Sequence, residues 1–355
     1  MQVFFYIPTL AAGGAEKQCS MIASGLKREF NLNIKVVVNS LDAPNQANLE
    51  LLKNSNVPVI LLPSGGIIKK VKNLYALFKS DKNTVLFTFL TFPNFIGAIA
   101  ARLAGVRRIY SGIRCGWLPF RKLLFEVLTN RVLASKTIFN SHRALEYFTS
   151  RGFSRRKSFV ISNGIELWDD PPSLGPNETV KIITVGRFTP EKDYPTFLQC
   201  VKNVVDQGLN VEAHIVGYGI LENQIKNLIM ELSLDKFIVI HPGSSDVKSL
   251  LFEADIYLST STSEGVSNSI LEAMNSSLPI VATDVGDNSY MVFDNFNGYL
   301  LRAKDIQGLS QALISLIGDG DKRKLFGAES KRILASSFSP ATLLKKYNVC
   351  IFEEQ

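Results

Sequence analysis

The chain has 355 residues, of which 46% are hydrophobic and 20% charged. That length suits two domains of roughly 150–180 residues, each able to bury a core, and the composition excludes wholesale disorder. The formal net charge of +7 is unevenly spread: residues 1–165 carry 23 Lys/Arg against 7 Asp/Glu, or +16, and residues 166–355 carry 16 against 25, or −9.

A basic half joined to an acidic half implies that the first half meets an anionic partner, a nucleic acid or an anionic membrane surface. The basic half shows no recognition helix and no aromatic-basic RNA motif, so no nucleic-acid partner is expected. Four cysteines (Cys19, Cys115, Cys200, Cys350) are scattered without a CxxC. A disulfide framework or zinc site is therefore not expected, and a reducing cytoplasm is the simplest setting. The histidines His142, His214 and His241 have no metal-ligand spacing.

Taken in chain order, "QVFFYIP" reads as a first buried strand, since it lacks the basic start of a signal peptide. A helix-like "GAEKQCSMIASGLKREF" and a strand "NIKVVVNS" follow. The uncharged run at 85–101 is short for a bilayer span and is interrupted at Pro93. It reads as a buried strand and a buried helix. "RRIYSGI" is the next strand. The stretches "IIKKVK" and "RKLLFEVLTNRVLASK" are basic and amphipathic. They suit a solvated helix face or an anionic bilayer, the latter favoured by the charge of the whole half. Their membrane-facing candidates are Lys69, Lys70, Lys72, Arg121, Lys122 and Arg131.

Residues 163–180, rich in Pro, Gly, Asn and acid, read as a linker. The alternation then restarts with "VKIITVG" and "YPTFLQCVKNVVDQG", "VEAHIVG" and "LENQIKNLIMELSL", "KFIVIHPG" and "VKSLLFEA", "DIYLST" and "SNSILEAMNSS", then "PIVATDVG". Short β-branched runs alternating with helices imply an α/β fold. It has two doubly wound parallel sheets, with a ligand cleft at the carboxyl ends of their strands. The first domain is expected over 1–165 and the second over 166–338, with a last helix at about 339–355.

Strand ends of the second half carry the chemistry. "VGRFTPEKD" places Gly186, Arg187 and Lys192 at a strand end. There Arg187 can grip phosphate as a bidentate fork and Lys192 adds a point charge, unless Lys192 merely pairs with Glu191 or Asp193. "VGYGILENQ" places Gly217 and Gly219 at the next strand end, where backbone can approach a ligand closely. In "STSEGVSNSILEAM" the N–H groups of Ser267, Asn268 and Ser269 start a helix, a site for phosphate. Glu264 in the loop and Glu272 one turn into the helix each suit a vicinal diol, one on a transferred sugar and one on a ribose. "DGD" at 319–321 reads as a turn rather than a metal-binding DxD.

"GGAEKQ", "NGIE", "VGRFTPEKD", "VGYG" and the Glu-x7-Glu of "EGVSNSILEAM" occur in this order. Together they resemble the family-4 glycosyltransferases of the GT-B fold. The resemblance implies two Rossmann-like domains facing across a cleft, the last helix packing back on the first domain. It implies transfer from a nucleoside-diphosphate sugar with retention of configuration, no cofactor and no required metal. Arg187 and Lys192 would hold the diphosphate, Glu264 the donor sugar and Glu272 the ribose. Gly13 and Gly14 would approach the phosphate from the first domain, and backbone around Gly217 and Gly243 would select the base.

The chain departs from the family pattern in three places. Where many relatives carry a histidine, "YSGIRCGW" offers Arg114, a candidate for the donor phosphate or an anionic acceptor. "EAMNSS" and Tyr290 replace the usual residues after the second glutamate and after "DVG". The expected activity is hexosyl or N-acetylhexosaminyl transfer, from UDP rather than GDP. The expected acceptor is a lipid-linked glycan in cell-surface polysaccharide (O-antigen or capsule-type) assembly, at the cytoplasmic face of the membrane. The alternatives are a soluble acceptor or a non-catalytic nucleotide-sugar scaffold.

Overall fold

A computed structural model of the chain describes residues 1–81, 83–169, 179–243 and 246–352. Positions 170–178 of the proposed linker and 353–355 of the last helix lie outside these. The described residues form two compact units, one of Met1–Gly164 with Pro340–Gln355 and one of Ile165–Ser339.

The first unit alternates strands and helices: β1 (Gln2–Ile7), α1 (Gly14–Phe30), β2 (Asn33–Val38), α2 (Gln46–Asn54), β3 (Val59–Leu61), α3 (Ile67–Phe78) and β4 (Val85–Phe89). It continues with α4 (Thr91–Leu103), β5 (Arg108–Ile113), α5 (Phe120–Leu128), β6 (Lys136–Phe139), α6 (His142–Thr149) and β7 (Ser158–Val160). The strands are parallel in the order β3-β2-β1-β4-β5-β6-β7. β1 and β4 are buried along their whole length. Helices cover both faces of a parallel sheet, so its central strands read as unbroken apolar runs. Pro93 sits in the first turn of α4, where its missing N–H costs no helix bond.

The basic stretch at 121–136 is not one helix. α5 ends at Leu128, a π turn runs over Thr129–Leu133, and Lys136 opens β6. Buried Asn130 is the cause: its amide donates to Thr137 and Ser158, and it accepts from the Ser154 N–H at 2.7 Å. These partners lie on other elements and pull the chain out of the α-helical path.

The second unit contains β8 (Val180–Val185), α7 (Tyr194–Val205), β9 (Val211–Gly217), α8 (Glu222–Glu231), β10 (Ile238–Pro242), α9 (Val247–Phe252) and β11 (Ile256–Ser259). It closes with α10 (Asn268–Asn275), β12 (Ile280–Thr283), β13 (Gly298–Leu301), α11 (Ile306–Ile317) and α12 (Gly320–Ser337). Its parallel sheet has the order β10-β9-β8-β11-β12-β13. Asp319 of "DGD" caps α12, accepting from the Lys322 N–H at 2.9 Å, and Gly320 and Asp321 open that helix rather than forming the expected turn.

The last helix, α13 (Pro340–Phe352), packs on the first unit. Leu343, Leu344, Tyr347 and Ile351 enter the core beside α1 and β1, worth roughly 1.5–3 kcal/mol per large side chain. Gly25 of α1 makes room: a Cβ there would lie 2.4 Å from Leu344. Tyr110 Oη donates to the Cys350 carbonyl at 2.6 Å and ties the helix end to β5.

Candidate active site

In each sheet the strand order reverses once, between β1 and β4 in the first unit and between β8 and β11 in the second. Such a switch point leaves a crevice at the carboxyl ends of the strands, because the connections leave in opposite directions. In the second unit, the loops after β8 and β11 are those that carry Arg187, Lys192 and Glu264.

These loops are laced together. Lys192 Nζ lies 2.5 Å from Glu264 Oε1, with the side chains only 18% and 13% exposed. Ser261 Oγ donates to the same carboxylate oxygen at 2.9 Å. Thr260 Oγ1 donates to the carbonyls of Lys192 and Asp193 at 3.0 and 3.1 Å. The Thr262 N–H reaches the Glu191 carbonyl at 2.8 Å. From the next strand, Thr283 Oγ1 bonds the Ser261 carbonyl. Gly286 presses on the Glu264 loop so closely that a Cβ would stand 2.5 Å from the Gly265 carbonyl oxygen. The Glu264 carboxylate is thus held both from its own loop, by Ser261, and from the β8 loop, by Lys192.

Tyr257 of β11 lies below. It is buried, and its hydroxyl reaches the Val185 carbonyl at 3.4 Å. Burial pushes its phenol far above the usual range, and the charges of Glu264 and Glu272 add to that, against a hydrogen bond with Ser269. One phenol therefore senses both carboxylates of the Glu-x7-Glu spacing. Glu272 lies in α10, four positions after the first helical residue, and is half-buried.

α10 begins at Asn268, with Ser267 at the N-cap making no side-chain cap. Ser267 Oγ and Ser269 Oγ are 3.2 Å apart. The first N–H groups of any helix lack intrahelical partners, and the dipole there favours an anion. Arg187 is largely exposed, with Glu191 at 3.5 Å. The Lys192 stem crosses over Gly186, where a Cβ would lie 3.0 Å from Lys192 Cε. Tyr194 Oη donates to the Gly186 carbonyl at 2.9 Å.

The glycines of the β9 loop are sterically required. A Cβ on Gly217 (φ +154°) would fall 1.9 Å from the Gly186 carbonyl oxygen. One on Gly219 (φ +156°) would fall 2.7 Å from that of Phe188. The Gly243 N–H donates to the Gly217 carbonyl at 3.0 Å. Gly186, Gly217 and Gly243 thus stand side by side along the carboxyl edge of the sheet.

Gly13, Gly14 and Arg114 belong to the first unit. Gly13 caps α1 and Gly14 opens it. The Glu16 carboxylate folds back over Gly13, standing 2.2 Å from where a Cβ would be, and accepts from Thr9 Oγ1 at 3.2 Å. Arg114 donates to Asn163 at 3.0 Å and to Tyr347 Oη at 2.6 Å, and stacks over Phe89. One terminal nitrogen, on Tyr347, serves the docking of α13, while Nε is buried without a partner.

Lys69 and Lys72 of α3 and Arg121 and Lys122 of α5 are exposed. Lys70 is half-buried over the Phe92 ring, and Arg131 donates to the Gly152 carbonyl. His214 and His241 stack and share a 2.9 Å hydrogen bond, with Glu212 at 2.6 Å from His214. Among the described residues no cluster of side chains is arranged to hold a metal.

The sequence gives no individual role to Tyr257, Ser261 or Glu16, although it brings all three within the stretches singled out above. The hydroxyl-rich "STSTSEG" was a signal for Ser261, whereas Tyr257 in an apolar strand gave none.

Comparison with known proteins marks the chain as a glycosyltransferase. Residues 168–333 match the family of glycosyl transferases group 1, the likeness that the ordered motifs implied. The chain is 26% identical over 286 residues to UDP-Gal:alpha-D-GlcNAc-diphosphoundecaprenol alpha-1,3-galactosyltransferase of Escherichia coli, covering 71% of each. It is 24% identical over 346 residues to N-acetylgalactosamine-N,N'-diacetylbacillosaminyl-diphospho-undecaprenol 4-alpha-N-acetylgalactosaminyltransferase of Campylobacter jejuni subsp. jejuni serotype O:2, covering 92% of this chain and 93% of that one. Its fold matches Anabaena HepE in complex with UDP, with a TM-score of 0.81 and 22% identity over 98% of each chain. It also matches the apo form of the lipopolysaccharide outer core galactosyltransferase WaaB, with a TM-score of 0.80 and 17% identity over the full length of both.

Proposed function

We propose that the chain transfers a hexose or N-acetylhexosamine, with retention of configuration, from a UDP-sugar to a lipid-linked glycan in cell-surface polysaccharide assembly. The observation that carries the donor half of this reading is the Lys192–Glu264 pair at the switch point, flanked by Arg187 and the start of α10. A nucleoside diphosphate leaves readily once its developing charge is neutralised. Arg187, Lys192 and the N–H groups of 267–269 supply that neutralisation. Glu264 then accepts from the sugar hydroxyls, Glu272 from the ribose, and the backbone near Gly217 and Gly243 frames the base.

The lipid-linked acceptor is supported by the two relatives named above, both described as acting on diphosphoundecaprenol-linked sugars. The first is described as using UDP-Gal, which favours UDP. Among the described residues no helix is long and apolar enough to cross a membrane. The reading places the chain peripherally on the cytoplasmic face, with Lys69, Lys72, Arg121 and Lys122 toward anionic headgroups. The test is transfer of label from a panel of UDP- and GDP-sugars into organic-extractable lipid by bacterial membranes plus the purified chain. Label entering lipid from one UDP-sugar, and lost with Glu264→Gln, is the expected result. Label entering only water-soluble sugars would overturn the acceptor assignment.

A further inference from the structure

The first unit holds a cavity of about 660 Å³ at the carboxyl ends of β1, β4 and β5, on its own switch point. The size is that of a ligand site. Leu90, Ile96, Ile113, Leu118 and Phe125 form apolar walls, and Arg114 and Lys122 supply the cations. Glu126 is the one acid in the lining, 1% exposed. Its Oε1 accepts from Asn94 at 2.9 Å, while Oε2 makes no hydrogen bond of normal length. Burial pushes the carboxyl up to about 8, against the pull of Asn94 and Thr91. It is therefore mostly neutral at pH 7, and the lining carries positive charge alone.

Asn94 also bonds both the carbonyl and the N–H of Gly112, at 3.0 and 3.2 Å. Glu126 thereby fixes α5 to the end of β5. Leu90, at the end of β4, has φ 73° and ψ 156°, a region almost reserved for glycine. Strain of this kind persists where the surroundings over-determine a residue, and it clusters at ligand sites. The apolar surface continues outward: Ile67, which lines the cavity, is 59% exposed, and Phe120 of α5 is 72% exposed.

We propose that this cavity takes the first isoprenoid units of the acceptor's carrier lipid, with the adjoining phosphate at Lys122 and Arg114. The inference rests on the lipid-linked acceptor proposed above. Its grounds are charge complementarity and the continuity of the cavity with exposed apolar side chains. A neutral Glu126 neither repels the phosphate nor penalises the chain, whereas an ionised one would do both.

Calorimetric titration of the full chain with farnesyl diphosphate, and separately with inorganic diphosphate, tests this. The wild type is expected to bind farnesyl diphosphate at least tenfold more tightly than diphosphate. Leu118→Asp and Lys122→Glu are each expected to weaken it tenfold or more, with an unchanged UDP-induced thermal shift attesting the fold. Equal affinity for the two ligands, or wild-type affinity in Leu118→Asp, would overturn the cavity assignment. A wild type that labels membrane lipid but fails the titration defeats the cavity alone. One that passes the titration yet labels only soluble sugars defeats the lipid-acceptor reading and leaves a prenyl-diphosphate site.

Discussion

Lys192 and Glu264 meet across 72 positions of sequence, and their pairing ties the loop after β8 to the loop after β11. Removing either member leaves a mostly buried charge with its main partner gone. Lys192→Ala is expected to cost about 1–3 kcal/mol by urea unfolding and to lower kcat about 100- to 1,000-fold. Wild-type turnover in that variant would remove Lys192 from the chemistry. Glu126 makes a second prediction. Its carboxyl titrates near 4.5 when unfolded and about 8 when folded. Between those values the folded chain keeps a proton that the unfolded chain has released, so stability falls as pH rises and levels off above about 8. Glu126→Gln removes this dependence. Its stability relative to wild type should improve by a few kcal/mol, in order of magnitude, between pH 5 and pH 9. Parallel curves would contradict it. At this scale the sequence located Arg187, Lys192 and Glu264 on strand-end loops and Glu272 in the helix that follows, since strand, loop and helix follow one another locally. It did not show that Lys192 pairs with Glu264 rather than with Glu191 or Asp193, nor that the charges of both glutamates reach Tyr257. Contacts between loops 70 residues apart leave no mark in local pattern.

At the scale of elements, close backbone packing sets the tolerance of the site. Gly217→Ala drives a Cβ into the Gly186 carbonyl and is expected to destabilise by about 2–4 kcal/mol, separating the β8 and β9 loops. A melting point within 1–2 °C of wild type would refute that packing. Tyr347 binds α13 to the first unit through the Arg114 bond and the Phe5 and Phe87 rings. Tyr347→Ala should cost about 3–5 kcal/mol and Tyr347→Phe about 1 kcal/mol, measured by urea unfolding. The parallel strands and α1 were legible because apolar runs and helical periodicity are strong over six or more residues. β3 and β7, at three residues each, carry no periodicity to read. The end of α5 was misread because Asn130 answers to partners on other elements.

For the whole molecule, charge is the property with the widest reach. Residues 1–165 carry +16 and residues 166–355 carry −9, so anionic vesicles should recruit the chain and neutral ones should not. Lys69→Ala with Lys72→Ala is expected to weaken partitioning on the order of tenfold, and raising the salt to 0.5 M should abolish it. Salt-independent binding would point to apolar insertion instead. The central claim, however, is that the second unit holds a nucleoside-diphosphate sugar through the loops of β8, β9 and β11. The most direct measurement is the thermal shift produced by UDP and by GDP on the wild type and on Glu272→Ala. Binding to the folded state raises the midpoint by mass action. The account predicts that UDP raises the wild-type midpoint, that GDP does so less, and that Glu272→Ala loses most of the UDP shift. An unshifted wild type, or a full UDP shift in Glu272→Ala, would contradict it.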